Sequence, residues 1–347
     1  MIIRLLPGLV LGMLALPVTA PAMAASFDCA KAQTSVERAV CADTELSGRD
    51  GVLAKAYATA TGGLSAPALE TMRQSQRQWL TYLGRVCTRT AQPQAEDYDL
   101  EGIECLRGAY DERIAGLEHS RMLGGLRFYP IDAFAVLKDP QAEPDDLWQV
   151  ATKAFRTLNI DGTDREAEAF NAFIAERTST SRTALGFGEE PTESEAPGST
   201  DESYLLSLDA VTPARITLAL DTFWYGHGAA HGNFTLSHLH FLRTEGRGLA
   251  AEDIFSGAGW QDALKTSVVA EIERTLADGL IVENFDDIDP TITNPDSWSF
   301  SETGLTVQFQ PYEITAYAAG APTVTIPWSE LADYLSDAAP AITGGYW

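Results

Sequence analysis

Histidine is the side chain best suited to proton transfer and metal ligation near neutral pH. Four of the chain's five histidines, His227, His231, His238 and His240, fall in one stretch. It runs Trp224-Tyr225-Gly226-His227-Gly228-Ala229-Ala230-His231-Gly232-Asn233-Phe234 and on to Ser237-His238-Leu239-His240-Phe241. His238 and His240 are two apart, so on an extended chain they face one side. His227 and His231 on a fold-back could meet them, and three or four imidazoles would suit zinc. Against that chemistry, the stretch has no His-Glu-x-x-His helix and no carboxylate inside the turn. Histidines on the polar face of a sheet are the plainer reading, and neither a metal nor a cofactor is expected.

Nucleophilic catalysis fares no better. There is no Gly-x-Ser-x-Gly elbow and no Ser-x-x-Lys, and every cysteine lies before residue 106. The carboxylates of 283–289 read as a solvated turn, with no separable acid and nucleophile. No enzyme is expected. The histidine stretch reads instead as a binding loop. An apolar run from Ile216 to Tyr225 enters it, an alternating run from Phe234 to Leu242 leaves it, and Gly226, Gly228 and Gly232 permit a tight turn. Loops held by a rigid scaffold are where binding residues concentrate. Tyr225, His227, His231 and Asn233 are the candidates here.

The elements that position this loop follow from periodicity. Residues 26–120 are helical in pattern. Thr34 or Ser35 caps a first helix, Gly62-Gly63 ends a second, Ser65-Ala66-Pro67 starts a third, and Cys105 opens a last one. Arg121 to Pro130 is a joint. Residues 144–158 and 165–177 read as helices, and 186–203 as a mobile acidic loop. Strands are expected at 204–208, 215–223, 234–242, 298–300, 305–309 and 323–326, with a long helix at 260–277. The fold class is a small disulfide-stapled all-α domain, 25–120, followed by an α+β domain with an antiparallel sheet, 121–347.

Residues 1–24 read as a signal peptide. Arg4 is the basic end, Leu5 to Leu16 the apolar segment, and Ala22-Met23-Ala24 the cleavage site before Ala25. A periplasmic or secreted location follows, and four cysteines in such a compartment imply two disulfides. Three connectivities exist, and closure of short local loops favours Cys29–Cys41 with Cys87–Cys105. Formal net charge is −25. Residues 25–120 hold 10 Lys or Arg against 14 Asp or Glu, a difference of −4; residues 121–347 hold 13 against 35, a difference of −22. So acidic a segment repels nucleic acid and attracts basic partners.

Cys29, Glu37, Cys41, Leu46, Asp50, Tyr57, Gln76, Trp79-Leu80, Cys87, Cys105, Tyr110, Arg113 and Leu117 resemble, in order, the framework of the lysozyme inhibitor LprI family. The resemblance covers nearly all of 26–120 and implies lysozyme inhibition. The step from Trp79 to Cys87 is a residue longer than usual, and 91–101 is an added loop.

The second part resembles the extracellular domain of the anti-sigma factor RsiV, a domain also attached to some peptidoglycan deacetylases. The residues concerned are Tyr225 to Asn233, Gly248-Leu249 to Phe255, Phe309-Gln-Pro-Tyr312-Glu-Ile-Thr-Ala-Tyr317-Ala-Ala-Gly320, and Val324 to Pro327. His227 stands where that family usually has glycine. The resemblance implies binding of lysozyme and adds Tyr312 and Tyr317 to the partner-binding candidates; RsiV's membrane span and sigma-binding segment have no counterpart here. The expected function is a cell-envelope protein that binds a lysozyme-type muramidase. The competing reading is a metal-dependent enzyme or accessory factor acting on cell-wall sugars through the histidine loop.

Overall fold

The computed structural model describes residues 25–146, 149–188 and 199–344. The signal-peptide assignment therefore lies outside the described residues, as does the middle of the acidic stretch at 189–198.

The first part is helical: α1 (Ser35–Ala42), α2 (Thr44–Thr61), α3 (Ala66–Val86) and α4 (Leu100–Leu117). Thr34 and Glu37 close a reciprocal cap, Thr34 Oγ1 accepting from Glu37 N at 3.1 Å and Glu37 Oε2 from Thr34 N at 2.8 Å. Ser65 caps α3 as its sequence indicates. Helix α4 begins at Leu100 rather than Cys105, because Asp99 accepts from Gly102 N at 2.8 Å and starts the helix a turn early. The disulfides are Cys29–Cys41 and Cys87–Cys105, with Cα atoms 5.7 and 5.6 Å apart. Trp79 and Tyr110 meet edge to face in the core, each almost fully buried.

The joint is not a linker. Residues Met122–Leu123 form β1, and Leu126–Lys138 form β2. The helix expected at 144–158 is instead β3 (Val150–Ile160), while Leu147 and Trp148 lie outside the described residues. Burial along β3 alternates through Ala151, Lys153, Phe155 and Thr157, and a strand hydrogen-bonds on both sides of it. Those tertiary bonds override an apolar spacing that also fits a helix.

Seven strands then lie in sequence order, with β4 (Thr200–Val211), β5 (Arg215–Gly226), β6 (Asn233–Leu242) and β7 (Arg247–Gly248) following β3. Pairing is antiparallel throughout except between β3 and β4, which α5 (Arg165–Ala184) joins by a crossover. Phe170 and Ile174 of α5 pack with Phe128, Phe155, Leu206, Leu218 and Phe241 of the sheet. A second, three-stranded antiparallel sheet of Trp298–Phe300, Gly304–Gln308 and Thr323–Pro327 encloses a separate core. There Leu264, Val268 and Ile272 of the long helix Trp260–Leu276 meet Trp298, Leu305 and Val307.

The helical part and the large sheet are joined by buried charge. Asp132 of β2 takes Arg113 Nη1 at 2.6 Å from α4 and Arg156 Nε at 2.6 Å from β3. Gln76 of α3 accepts from Arg113 Nε at 3.0 Å. The side chains of Arg113 and Asp132 are 0% and 1% exposed. Burial alone would push the Asp132 carboxyl up, but the two guanidiniums hold it below its ordinary value.

Asp132→Ala leaves two arginines without their counter-charge in a closed interface and is expected to destabilise the chain by about 3–5 kcal/mol in urea. A folded-state pKa below the unfolded one means that Asp132 stabilises fully above its unfolded value near 3.8. That stability is lost as pH falls through the folded value. Stability titrated from pH 5 downward should therefore fall more steeply in the native protein than in Asp132→Asn.

Candidate functional site

The β5–β6 hairpin carries the histidine loop at its tip. Thr222 faces Thr235, Phe223 faces Phe234 and Trp224 faces Asn233 across the ladder. Gly228 turns the chain at φ +83°. Gly232 is needed for its lack of bulk, since a Cβ there would stand 2.6 Å from the Phe223 ring. The missing side chain is the space that Phe223 occupies.

The loop sends its two histidines apart. His227 turns under the hairpin, its Nδ1 2.5 Å from Asp139 Oδ2 and its Nε2 3.4 Å from Asp201 Oδ2. Its backbone N–H donates to Ser199 O at 3.0 Å. Burial would raise Asp139, but Gln141 N–H, the His227 ring and Ser199 Oγ hold its carboxyl below the usual range. His227 is therefore an anchor for the loop, with its side chain only 6% exposed, and not a surface residue of the tip.

His231 turns outward. Its Nδ1 lies 2.8 Å from Gly232 O, which can only accept, so that nitrogen carries the proton. In the neutral ring Nε2 is then the acceptor for Tyr312 Oη at 3.1 Å. The imidazole stacks on Tyr317 at 4.0 Å between centroids, and Tyr317 Oη donates to Gly232 O at 2.7 Å. Tyr317 meets Tyr312 at 5.3 Å and the edge of Phe234 at 6.3 Å. Tyr225 Oη donates to Ala229 O at 3.2 Å across the loop. Asn233 is exposed and accepts from Phe234 N at 3.0 Å.

Tyr312 arrives from the far sheet because Gln310 grips β6. The Gln310 amide takes Leu236 N at 2.9 Å and donates to Leu236 O at 2.8 Å. Glu313 in turn accepts from Gln310 N at 2.7 Å. The tyrosine that follows sits at φ +68° and is half exposed. A bulky residue in that region costs about 1–3 kcal/mol and persists where the surroundings force it.

His238 and His240 do not join the tip. They stack at 5.8 Å on the face toward the smaller sheet. His240 is buried, bonded to Thr217 and to Trp298 O, and burial pushes its pKa down to about 3. Among the described residues no three His, Cys, Asp or Glu side chains are grouped to hold a metal.

What assembles is an aromatic ridge. Phe223, Phe234, Tyr317, His231 and Tyr312 follow one another along one face. Phe223 is 40% exposed, although nothing in its sequence context sets it apart from a core strand residue. Trp224, 48% exposed, points to the opposite face, where Ser181 and Ala184 of α5 and Leu185 just after it edge a shallow depression. Carboxylates rim the ridge: Asp221 two residues before Phe223, Asp201 opposite Tyr225, and Glu313 beside Tyr312. Burial raises the Asp221 carboxyl.

Residues 28–117 match the family model described as lysozyme inhibitor LprI, and residues 252–329 match the one described as DUF3298, a protein of unknown function. The helical part is thus LprI-like and the second part contains a DUF3298 segment. Tyr312 and Tyr317 fall inside that segment; the histidine loop lies before it. Comparison with curated proteins gives no match. Among solved structures the chain is similar to a DUF3298 family member from Bacteroides fragilis, at 15% identity and TM-score 0.44, covering 64% of this chain and 98% of that one. It is also similar to a DUF3298 family protein from Pseudomonas aeruginosa, at 14% identity and TM-score 0.46, with the same coverage.

Replacing Tyr312 separates its backbone strain from its ring. Tyr312→Gly should be more stable than Tyr312→Ala by about 1 kcal/mol, because only glycine accepts φ +68° freely. Equal denaturation midpoints for the two variants would refute the strain.

Proposed function

We propose that this chain is an exported cell-envelope protein that binds and inhibits a lysozyme-type muramidase. The observation that carries this reading is the match of residues 28–117 to the lysozyme inhibitor LprI family. The two disulfides agree with an oxidising compartment, periplasmic or extracellular. No helix among the described residues is long and apolar enough to cross a membrane. In this reading residues 1–24 are a removed leader, 25–120 a helical domain and 121–347 a sheet domain.

The aromatic ridge supplies the contact surface. Tyrosine and tryptophan concentrate binding energy at protein interfaces because they bury large area at low entropic cost. Tyr225, His231, Asn233, Tyr312 and Tyr317 would face the partner, and His227 would hold the loop in place. A difference of −22 over 121–347 would steer a basic enzyme toward the rim carboxylates. No catalytic residue, cofactor or nucleic-acid partner belongs to this proposal.

Calorimetric titration of the protein with a c-type lysozyme, alongside a muramidase assay, tests it. Submicromolar binding with inhibition is expected, weakening as salt screens the rim. Tyr312→Gly and Phe223→Ala, both on the ridge, should each cost about tenfold or more in affinity. Unchanged affinity in both variants would move the interface off the hairpin tip. Absence of binding at low salt would overturn the function.

A further inference from the structure

Along most of β2 the large sheet has an edge to which no described strand is hydrogen-bonded, with α3 packed beside it through Tyr82 on Phe134. Strand β1 pairs only with the start of β2, Met122 with Arg127 and Leu123 with Leu126. Phe128 then closes onto Arg121 through bonds of 2.9 and 3.1 Å. Past that point β2 has β3 on one side and, among the described residues, no strand on the other. Hydrogen bonding alternates along an antiparallel strand. Asp139 N donates to Gln149 O at 3.0 Å, so odd-numbered residues of β2 bond toward β3 and even-numbered ones away from it. Phe128, on the outer side, obeys the same alternation. Asp132, Phe134 and Val136 therefore point their N–H and C=O groups outward, and among the described residues no bond outside the β2–β3 ladder takes them. Pro130, the first outward position past Phe128, has no N–H to offer.

This edge is not bare to bulk solvent. Residues 131–136 form the floor of a cavity of about 530 Å³ between α3 and the C-terminal end of α5. Helix α3 supplies Gln74, Ser75, Gln78 and Arg85, and the other wall supplies Arg182 and Phe187. Ser75 is 3% exposed, and its Oγ has no hydrogen-bond partner. Arg85 Nε is likewise buried and unpartnered. The Arg182 guanidinium lies 5.3 Å over the Phe155 ring. Asp132 is the lining's only carboxylate among the described residues, and Arg113 and Arg156 already neutralise it. In a chain of net charge −25, the groove along β2 presents the two guanidiniums of Arg85 and Arg182, while burial, and after it the Glu112 and Asp201 carboxylates, push up the hydroxyl of Tyr82 on its α3 wall.

We propose that the β2 edge takes up an extended, acidic polypeptide segment of a partner as an added strand. Its backbone would bond to Phe134 and Val136, which are partly exposed where Asp132 is buried, as an added strand does on a free sheet edge. Its carboxylates would meet Arg85 and Arg182, and the amides of Gln74 and Gln78 would serve its remaining polar groups. A second copy of the chain fits less well, because twofold pairing of the same edge sets each arginine pair against its equal.

Fluorescence anisotropy with labelled peptides of about eight residues, roughly 26 Å when extended, tests this directly. One peptide alternates valine with glutamate and its counterpart alternates valine with lysine. The glutamate peptide should bind saturably and the lysine peptide should not. N-methylation of alternate amides should abolish binding for one set of positions and spare it for the other, since only one set faces β2. Arg85→Gln and Arg182→Gln should each weaken binding about tenfold, the scale of one charge-assisted hydrogen bond. Val136→Pro removes an outward N–H without touching the β3 ladder and should weaken it as well. If that variant fails to fold, the arginine variants and methylated peptides still decide. Equal binding of both peptides, no binding of either, or indifference to both methylation sets would overturn the proposal. So would a protein that dimerises by itself and becomes monomeric in Val136→Pro, since the occupant would then be a second copy.

Discussion

The arrangement depends on one buried carboxylate. Asp132 stands where α4, β2 and β3 meet, and its two arginines come from different parts of the chain. Removing three charges from water is expensive, and the attraction repays it only when geometry and extra hydrogen bonds are good. Gln76 supplies one such bond to Arg113. Arg156 fills the space that a side chain on Gly116 of α4 would need, its Nη2 2.1 Å from where that Cβ would stand. The consequence is specificity of docking more than strength. An apolar contact alone would let the helical part slide on the sheet, whereas this triad pairs its charges in one register, with Arg113 Nη2 left without a hydrogen-bond partner. Secondary ties, Ser65 N to Asp161 at 2.7 Å and Arg127 Nη2 to Ala60 O at 2.8 Å, follow once that register is set.

Local signals in the sequence carried the helical part well, because capping chemistry is local. Thr34 with Glu37 and Ser65 before Pro67 need no tertiary context to start a helix. The miss at α4 has the same origin: Asp99 sits in a stretch of acidic residues, and its capping role is indistinguishable there from that of Asp97 until the chain is folded. In the second part, strands flanking glycine turns were legible, but β2 and β3 were not. Leu126–Lys138 combines Arg127, Pro130, Asp132 and Lys138 with apolar residues, and the reason Asp132 can be buried lies in α4 and β3. Residues 150–160 present apolar side chains at spacings that fit either period, and only pairing on both sides decides between them.

The site shows the same division. His231, Tyr312 and Tyr317, drawn from two separate motifs, meet in the fold, but His227 does not face outward with them. Its two carboxylate neighbours, Asp139 and Asp201, are distant in sequence, so no local pattern could reveal that this histidine anchors the loop. Phe223 and Trp224 were hidden for the opposite reason. They end an apolar strand and look like core residues, yet the hairpin runs past the cover that α5 and the smaller sheet give its base.

The register places both exposed surfaces at the same level of the sheet. Ala135 of β2 faces Lys153, Lys153 faces Glu202, and Glu202 faces Trp224. Three strand spacings separate the free edge from the hairpin tip, roughly 14 Å. The C-terminal end of α5 borders both: Arg182 lines the groove along β2, while Ser181, Ala184 and Leu185 edge the depression under Trp224. The two surfaces differ in charge, the tip being rimmed by carboxylates and the groove lined by arginines. A basic globular partner and an acidic strand would therefore not compete for the same place. With the row Ala135–Lys153–Glu202–Trp224 held rigid by the ladder, a bulky partner on the tip would still limit the space beside the groove. Coupling between the surfaces would then be steric, carried by the size of the bound partner, and would require no change in the sheet.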